Sequence, residues 1–300
     1  MAAELKNISV IKIAPSGRAF QSKKKRTILT AVAKVLTYFI LSVIGASMLI
    51  PLLWMVSTSL KEPGVVFTFP PQWIPKPALW ENYVNAWNAI PFGRFYFNSL
   101  FVAVLTTFGQ VFTSALAAYA FARLRFPGRD KLFLGYLATM MVPGSVTMIP
   151  VFILCKMLGL IDTYTVLILP GIFSAYGTFL LRQFFMTLPR ELEDAAKIDG
   201  CSLFGIFLRV TLPLSKPALA TLTTFTFMGS WGSYMWPLIV TNSMEMRTLP
   251  VGLAAFQGLY NTDWTLLMAG SVISVVPVIV VFLLNQRFFV EGIQLGAIKG

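Results

Sequence analysis

Six apolar stretches, each about as long as a bilayer crossing, constrain this chain more than any other feature. They cover about residues 31–56, 97–122, 132–155, 164–185, 216–239 and 265–286. A membrane helix needs about 20 apolar residues to cross roughly 30 Å of hydrocarbon. The composition agrees, because 56% of the 300 residues are hydrophobic and only 12% are charged, outside the range of soluble domains. The sequence therefore predicts an all-α polytopic membrane protein with six transmembrane helices.

The distribution of positive charge predicts how these helices are oriented. Residues 1–30 form a basic N-terminal tail, and the apolar run that follows is too long for a signal-peptide core. Of the 24 Lys and Arg residues, 19 lie in the N-terminal tail, in alternate segments beyond the spans, or at the span ends that adjoin them; the other five are Lys61, Lys76, Arg94, Lys156 and Arg247. The positive-inside rule then predicts that both termini and the loop at residues 189–213 are cytoplasmic. The net charge of +12 is thus explained by topology, and no nucleic-acid partner is predicted.

Two functional classes are disfavoured by residues that the sequence lacks. With no histidine and only two distant cysteines, Cys155 and Cys201, no catalytic or metal site is expected, so a membrane-embedded enzyme is disfavoured. An ion-coupled secondary sugar transporter is the main alternative. Such carriers commonly place carboxylates at membrane depth, and none lies in the six apolar cores. Since the chain also lacks the G-x-x-x-x-G-K-[ST] phosphate loop, ATP would have to be hydrolysed on another chain.

The charged segment from Pro189 to Pro213, PRELEDAAKIDGCSLFGIFLRVTLP, has the signals of two short helices. Acidic residues in its first turn suit a helix N-terminus. Gly200 is expected to end that helix in the left-handed conformation, and Ser202 to cap a second helix that ends by Pro213. The segment is predicted to be a helix–turn–helix unit at the membrane surface.

This segment resembles the EAA loop of binding-protein-dependent ABC importer permeases and is called the EAA segment below. The family pattern is Glu-Ala-Ala, three residues, Gly, nine residues, Ile, one residue and Leu-Pro. Asp194 stands here for Glu and Val210 for Ile. The resemblance implies that the segment couples the permease to an ATPase, and it leaves open whether Glu193 or Asp194 carries the acidic role. The implied coupling residues are Glu193, Asp194, Ala195, Ala196, Asp199, Gly200, Leu212 and Pro213.

Two further stretches resemble carbohydrate-uptake permeases of the maltose type. The C-terminal letters QRFFVEG and GAIKG resemble a tail that contacts the ATPase subunits in that subfamily, which implies this role for Gly292, Gly296 and Lys299. Three glycines predict that the tail, residues 291–300, is flexible. The letters WGSYMWPL resemble the motif WNxFLWPL, with Gly232 where Asn is usual.

Aromatic residues beside hydroxyl groups in the fifth span suggest a path for a sugar, whose ring is apolar on its faces and polar at its rim. The candidates are Phe227, Trp231, Tyr234 and Trp236. For the other uncharged polar residues of the spans, such as Asn98 and Gln110, helix packing is the preferred interpretation.

Together these resemblances imply the type I ABC importer permease fold in a bacterial inner membrane. They also imply a second, maltose-type permease subunit, an ATPase dimer that carries ATP and Mg²⁺, and an extracytoplasmic solute-binding protein. The chain itself is expected to hold no cofactor and no metal and to be non-catalytic. Besides membrane lipid, its ligand would be a carbohydrate, neutral or acidic, moved inward by alternating access. By the same resemblance, the outer loop at 240–263 would reach into the binding protein. For most residues of this loop and of the aromatic-rich outer loop at 57–95, anchoring at the membrane interface is the preferred interpretation.

Overall fold

The computed structural model describes residues 17–258 and 262–297, with side chains for 30–258 and 262–288. Within these ranges every regular element is helical. The longer helices and their connecting helices are α1 (Gly17–Ser59), α2 (Glu81–Ala89), α3 (Phe92–Arg123), α4 (Arg129–Ala138), α5 (Gly144–Met157), α6 (Tyr164–Ile168), α7 (Ala175–Thr187), α8 (Glu191–Ile198), α9 (Leu203–Ile206), α10 (Leu212–Leu214), α11 (Lys216–Trp231), α12 (Met235–Val240), α13 (Leu249–Leu253) and α14 (Trp264–Ala297). Short 3₁₀ turns lie at Pro63–Val65, Thr139–Met141, Leu169–Ile172, Met244–Met246 and Ala254–Phe256.

The apolar stretches form helices of membrane length, but only three of them are uninterrupted. These are Thr30–Ser59, Phe92–Arg123 and Trp264–Phe288. Three further pairs of helices pass the same length and composition test together, with bends of 98°, 40° and 80° at short breaks. Six crossings result if each bent pair is one span. The first two pairs cover the third and fourth apolar stretches, whereas the last pair, Leu203–Leu214 with Lys216–Trp231, begins within residues 189–213.

The third, fourth and fifth apolar stretches are each interrupted. The fourth breaks at Phe173, whose backbone is extended between a 3₁₀ turn and α7. The third span breaks between α4 and α5 at Val142, whose backbone is extended (ψ 118°) because the following residue, Pro143, disfavours the helical conformation. The fifth span ends at Trp231, and the chain resumes as α12 at Met235. Gly232 lowers helix propensity there, and Pro237 has no N–H with which to continue the ladder.

The two ends of the chain also differ from the prediction. The first helix begins at Gly17, within the stretch expected to be a polar tail. The last helix continues to Ala297, so Gly292 and Gly296 are helical rather than part of a flexible tail. An established helix adds further residues without a new nucleation cost, and this gain offsets the roughly 1 kcal/mol that each glycine costs. Lys299 lies outside the described residues.

Residues 1–54 and 55–300 are two compact units. Within the first, the described residues 17–54 are all helical, and Pro51 lies inside the helix. The core of the second is built on α3, which packs against α7 and α11.

Small residues allow the close approach of α3 and α7. Ser114, Ala118 and Ala122 are buried, as their four-residue spacing predicts. A Cβ atom at Gly177 of α7 would lie only 2.6 Å from the Ser114 Oγ, so this approach requires a glycine. Because α3 runs unbroken through the unit, it connects the EAA segment at one end with the 240–249 loop at the other.

Candidate coupling segment and solute cavity

The EAA segment has the predicted helix–turn–helix conformation. Gly200 follows α8 with a φ of +81°, and the N–H groups of Gly200 and Cys201 donate to the carbonyls of Lys197 and Ala196 at 3.0 and 2.9 Å. This paired pattern is a Schellman helix ending. The Ser202 Oγ accepts a hydrogen bond from the N–H of Gly205 at 3.1 Å. Both turn signals read from the sequence are therefore confirmed.

The second helix of the segment is longer than expected. After α9 the chain makes a π-helical turn at Phe207–Thr211 and then enters α10, so Pro213 lies inside the helical stretch instead of ending it. Pro213 lacks the N–H that a regular α-helix uses, and the π-helical turn just before it already interrupts the α-helical hydrogen-bond pattern. The helical stretch ends at Leu214, and α11 follows after a bend of 80°.

The adjacent carboxylates Glu193 and Asp194 lie in different environments. Glu193 is buried, and its Oε1 lies 2.8 Å from the Nε of Arg123, whose side chain is 4% exposed. The Nε–H of Arg123 does not point at this oxygen, so the two groups form an ion pair without an aligned hydrogen bond. Arg123 also donates from Nη2 to the carbonyl of Leu188 at 2.8 Å. One arginine at the end of α3 thus holds both α8 and Leu188, the residue that follows α7.

Asp194 faces away from this contact and is exposed. Its Oδ1 accepts a hydrogen bond from the Lys197 Nζ at 2.8 Å. That hydrogen bond, with the charge of Lys197, lowers the pKa of Asp194, so the carboxylate stays ionised near neutral pH. The sequence left open which carboxylate is available to a partner, and the geometry points to Asp194.

Apolar side chains surround the exposed part of the EAA segment. Ile198 is 88% exposed, and Leu203 and Phe204 are more than half exposed. Ala195 is also exposed, whereas Ala196 is half-buried. An apolar patch with an ionised carboxylate beside it is typical of a protein-binding surface. The sequence analysis missed Ile198, Leu203 and Phe204, although their position outside the membrane-length stretches could have identified them.

A cavity of about 890 Å³ lies among α3, α5, α6, α7, α11 and α12. On α3 it is lined at Ser99, Val102, Thr106 and Gln110, positions three or four residues apart that share one helix face. This face extends over about 17 Å at 1.5 Å per residue. The remaining lining residues are Gly144, Thr147, Met148, Val151, Leu167, Pro170, Gly171, Tyr176, Phe225, Thr226, Gly229, Ser230, Ser233, Tyr234, Met235, Trp236, Pro237 and Thr248.

The cavity wall combines aromatic rings with uncharged polar groups. None of its lining residues is Asp, Glu, Lys or Arg. The Gln110 Nε2 donates to the Thr226 Oγ1 at 2.9 Å, which links α3 to α11 within the wall. The wall can therefore offer hydrogen bonds and ring faces to a solute but has no charge to pair with a solute's charge.

Two of the four residues predicted to form a sugar path line this cavity, and two do not. Tyr234 and Trp236 are in the wall. Phe227 and Trp231 are 5% exposed and belong to an apolar core cluster with Phe92. They are four residues apart and so share one face of α11, and the Trp231 Nε1 donates to the carbonyl of Ser274 in α14. Aromatic composition could not tell which face of α11 is packed.

At the far end of α3, Asn98 fixes the loop between α12 and α13. This residue is fully buried, and its Nδ2 donates to the carbonyls of Glu245 and Arg247 at 2.7 and 2.8 Å. The Tyr164 hydroxyl donates to the Asn98 Oδ1 at 2.7 Å. Asn98 therefore joins two helices to the loop, a more specific role than the helix packing expected from the sequence.

Asp162 holds the beginning of the same loop. Its Oδ1 accepts hydrogen bonds from the N–H groups of Asn242 and Ser243 at 2.9 and 3.1 Å. Burial raises the pKa of Asp162, but these hydrogen bonds outweigh burial and the net pKa is lowered. Asp162 has a φ of +63°, a conformation that Asp and Asn tolerate better than most residues.

No group of three or more Cys, Asp or Glu side chains within the described ranges is arranged to hold a metal ion.

Comparison with known proteins gives three consistent findings. Residues 110–293 match the family described as "Binding-protein-dependent transport system inner membrane component". The arabinooligosaccharides transport system permease protein AraQ of Bacillus subtilis strain 168 is 42% identical over 228 residues, covering 75% of this chain and 81% of that protein. The sn-glycerol-3-phosphate transport system permease protein UgpE of Yersinia enterocolitica is 40% identical over 236 residues, covering 76% and 84%.

A solved structure agrees with the fold. The crystal structure of a bacterial ABC transporter involved in the import of the acidic polysaccharide alginate contains a chain with a TM-score of 0.75 and 25% identity, covering 86% of this chain and 97% of that one. The fold is thus that of the ABC importer permeases, all-helical and polytopic. With the family match spanning most of the described helices, this chain belongs to the binding-protein-dependent transport system inner membrane components.

Proposed function

We propose that this chain is the permease subunit of an ATP-driven importer that carries a neutral carbohydrate into the cytoplasm. The observation that carries the proposal is the cavity wall, which offers hydroxyl, amide and aromatic groups and no ionised side chain. Ring faces and hydrogen-bonding groups together suit a sugar ring, which has apolar faces and a hydroxyl rim.

The absence of ionised side chains from the wall favours a neutral solute over an anionic one. Taking a phosphate or a carboxylate out of water without a paired cation is costly. Among the relatives, one is named for arabinooligosaccharides, one for sn-glycerol 3-phosphate, and the solved importer for alginate, an acidic polysaccharide. Because it has no ionised side chain, the cavity wall favours a neutral sugar, such as an arabinooligosaccharide, for this chain.

The partners proposed are a second permease subunit, an ATPase dimer that binds ATP and Mg²⁺, and an extracytoplasmic solute-binding protein. The EAA segment would dock on the ATPase through Asp194 and the exposed apolar patch at Ile198, Leu203 and Phe204. Gly292, Gly296 and Lys299 are proposed to contact the ATPase as well. The binding protein would approach the other end of α3, at the 240–249 loop. This arrangement places both termini in the cytoplasm.

The proposed mechanism is alternating access driven through α3. Arg123 connects the end of α3 with α8 of the EAA segment, and the same helix supplies one wall of the cavity. A displacement of α8 by the ATPase would therefore act on α3 directly. The displacement shifts the transport equilibrium only if the ATPase binds the EAA segment differently in its two nucleotide states.

Uptake into liposomes by the complete importer tests the substrate class. With the binding protein and ATP present, uptake of a neutral arabinooligosaccharide should exceed that of sn-glycerol 3-phosphate and of an alginate oligosaccharide. Thr226→Val, in the cavity wall, should lower neutral-sugar uptake by about fivefold, the value of one hydrogen bond. Thr221→Val is the matched control, because the Thr221 hydroxyl donates within its own helix to the carbonyl of Pro217. Preferred uptake of either anionic solute would overturn the neutral assignment.

Thiol labelling tests the orientation independently. Cys201 lies in the EAA segment and is partly accessible, whereas Cys155 is buried. In cells that produce a Cys155→Ser variant, a membrane-impermeant maleimide should label Cys201 only after the membrane is opened. Labelling of Cys201 in intact cells would reverse the proposed topology.

A further inference from the structure

A second pocket, of about 640 Å³, lies between the end of α3 and the start of the EAA segment. Four of its lining residues are cations, namely Arg125, Arg129, Lys131 and Arg190, and one is an acid, Asp130. The cations come from two separate parts of the chain: the segment from the end of α3 into the first turn of α4, and the residue just before α8. The fold thus concentrates positive charge at one place where the sequence shows only scattered basic residues.

The single carboxylate of the pocket is already paired. The Asp130 Oδ1 lies 3.0 Å from the Arg129 Nε, and the Asp130 Oδ2 accepts from the Arg129 Nη2 at 3.4 Å. A second arginine, Arg182, approaches Asp130 to 3.8 Å. No carboxylate of the described residues comes within 4 Å of Arg125, Lys131 or Arg190. The pocket therefore has a surplus of positive charge that the described residues do not neutralise.

The backbone of the pocket adds to this positive field. Gly128 precedes α4 with a φ of +78° and makes no side-chain cap to the helix, because glycine has no side chain. The first N–H groups of a helix have no partner within it, and the helix dipole is positive at that end. Arg129, Asp130 and Lys131, the first residues of α4, line the pocket. An anion in the pocket would be stabilised by the dipole as well as by the cations.

We propose that this pocket binds a phosphate group, and that the phosphate belongs to an anionic phospholipid of the adjoining leaflet. Phe126 lines the pocket. One and three residues beyond Lys131, Leu132 and Leu134 are 61% and 68% exposed. Cations next to exposed apolar side chains, where a membrane-length helix pair begins, are typical of the headgroup region. The phosphate would hold the α3–α4 loop to Arg190, next to α8, so the lipid would influence how the EAA segment is held.

Lipid binding to the purified full chain provides the test, with native mass spectrometry as the readout. The delipidated chain in detergent is titrated with phosphatidylglycerol or with phosphatidylcholine. One variant is Arg125→Gln/Arg190→Gln. The control is Arg209→Gln/Lys216→Gln, which removes the same charge from exposed residues outside the pocket. A third arm titrates inorganic phosphate, which has the same anionic chemistry but no acyl chains.

We expect phosphatidylglycerol to bind the wild-type chain in preference to phosphatidylcholine. The pocket variant should bind it about 30-fold more weakly, because each cation near an anionic headgroup contributes about fivefold. The control variant should stay within about threefold of the wild type. Equal losses in both variants would mean that the lipid responds only to the overall positive charge of the chain and would overturn the site. The wild-type chain could instead bind inorganic phosphate but no phosphatidylglycerol, and the pocket variant could lose that phosphate binding. This result would overturn the lipid as the source of the phosphate and would support a soluble phosphate ligand.

Discussion

The EAA segment and the 240–249 loop lie at opposite ends of α3, and they are held by different kinds of contact. The EAA segment folds through local signals: a glycine ends α8, and a serine caps α9. A buried ion contact from Glu193 to Arg123 attaches it to α3, and Tyr119 of α3 donates to the Leu203 carbonyl at 3.3 Å and packs against Phe207. The 240–249 loop has only short helical turns, and its position depends on hydrogen bonds from residues that are about 80 to 150 positions away in sequence.

This difference indicates which end can move as a unit. A segment whose turns are fixed by its own residues can be displaced without unfolding. A loop held by several distant hydrogen bonds keeps its shape only while the helices that supply them keep their arrangement. In the proposed transport cycle, the EAA segment therefore suits a part that is moved, and the 240–249 loop suits a surface that responds to the helix arrangement.

The largest expected effect is loss of the attachment of the EAA segment. Glu193→Ala should destabilise the region by about 3–5 kcal/mol, because it leaves a buried arginine without its counter-charge. Hydrogen–deuterium exchange of residues 191–206 should rise, while exchange of the 240–249 loop stays unchanged. Asp194→Ala is the matched control, and exchange in the same residues should remain at the wild-type level because this carboxylate is exposed. If both variants behaved alike, the division of roles between the two carboxylates would be wrong.

The same contrast explains what could be predicted from the sequence. The Gly200 turn and the Ser202 cap were predictable because each depends on residues within a few positions. The six apolar stretches were predictable because each of them must meet the length of the bilayer. The burial of Glu193, and not of Asp194, was not predictable, since it depends on Arg123, 70 positions away on another helix.

The site in the spans was harder to predict for the same reason. Tyr234 and Trp236 line the cavity whereas Phe227 and Trp231 are packed, and all four have similar side chains. The helix face that each one occupies depends on the break after Trp231 and on α14, which packs against α11. Composition indicates a sugar path in this region, but only the packed structure shows which aromatic residues line the cavity and which belong to the core.

The second largest effect should occur at the other end of α3. Asn98→Ala removes three hydrogen bonds and leaves two carbonyls and the Tyr164 hydroxyl without this partner. We expect a loss of about 2–4 kcal/mol, with faster exchange in residues 243–249 and wild-type exchange in the EAA segment. Thr113→Ala is a suitable control, because this α3 residue also bonds a distant carbonyl, that of Ile172, but lies away from the loop. If hydrogen–deuterium exchange of residues 243–249 stayed unchanged in Asn98→Ala, the hydrogen bonds of Asn98 would not hold the loop in place.

A smaller effect is expected from strain in the EAA turn. Gly200→Val places a β-branched residue at a φ of +81°, which costs about 1–3 kcal/mol. Space does not limit the change, since a Cβ atom there would have no neighbour within 4 Å. Gly200→Asn is the control, because Asn tolerates the left-handed conformation. In the complete importer, the Val variant should lose sugar-stimulated ATP hydrolysis while the Asn variant largely keeps it. Normal stimulation in Gly200→Val would show that the direction of α8 does not matter for coupling.

The smallest effect concerns Asp162 and depends on pH. Its pKa is lowered in the folded protein, so its stabilising contribution is present above the unfolded value of about 3.9 and is lost as pH falls through the folded pKa. Asp162→Ala should lower stability by about 1 kcal/mol near pH 6, because two hydrogen bonds to the loop are lost. Asp162→Asn should lower it less, since Asn keeps an acceptor oxygen and tolerates the positive φ. Thermal unfolding in detergent, followed by tryptophan fluorescence, should show a gap in unfolding temperature between wild type and Asp162→Asn at pH 6 that narrows as the pH falls below about 3.9. The gap to Asp162→Ala should narrow but persist, because alanine also bears the backbone strain. A gap between wild type and Asn that stayed constant from pH 6 to pH 3 would mean that the charge of Asp162 does not hold the loop, and that only its shape does.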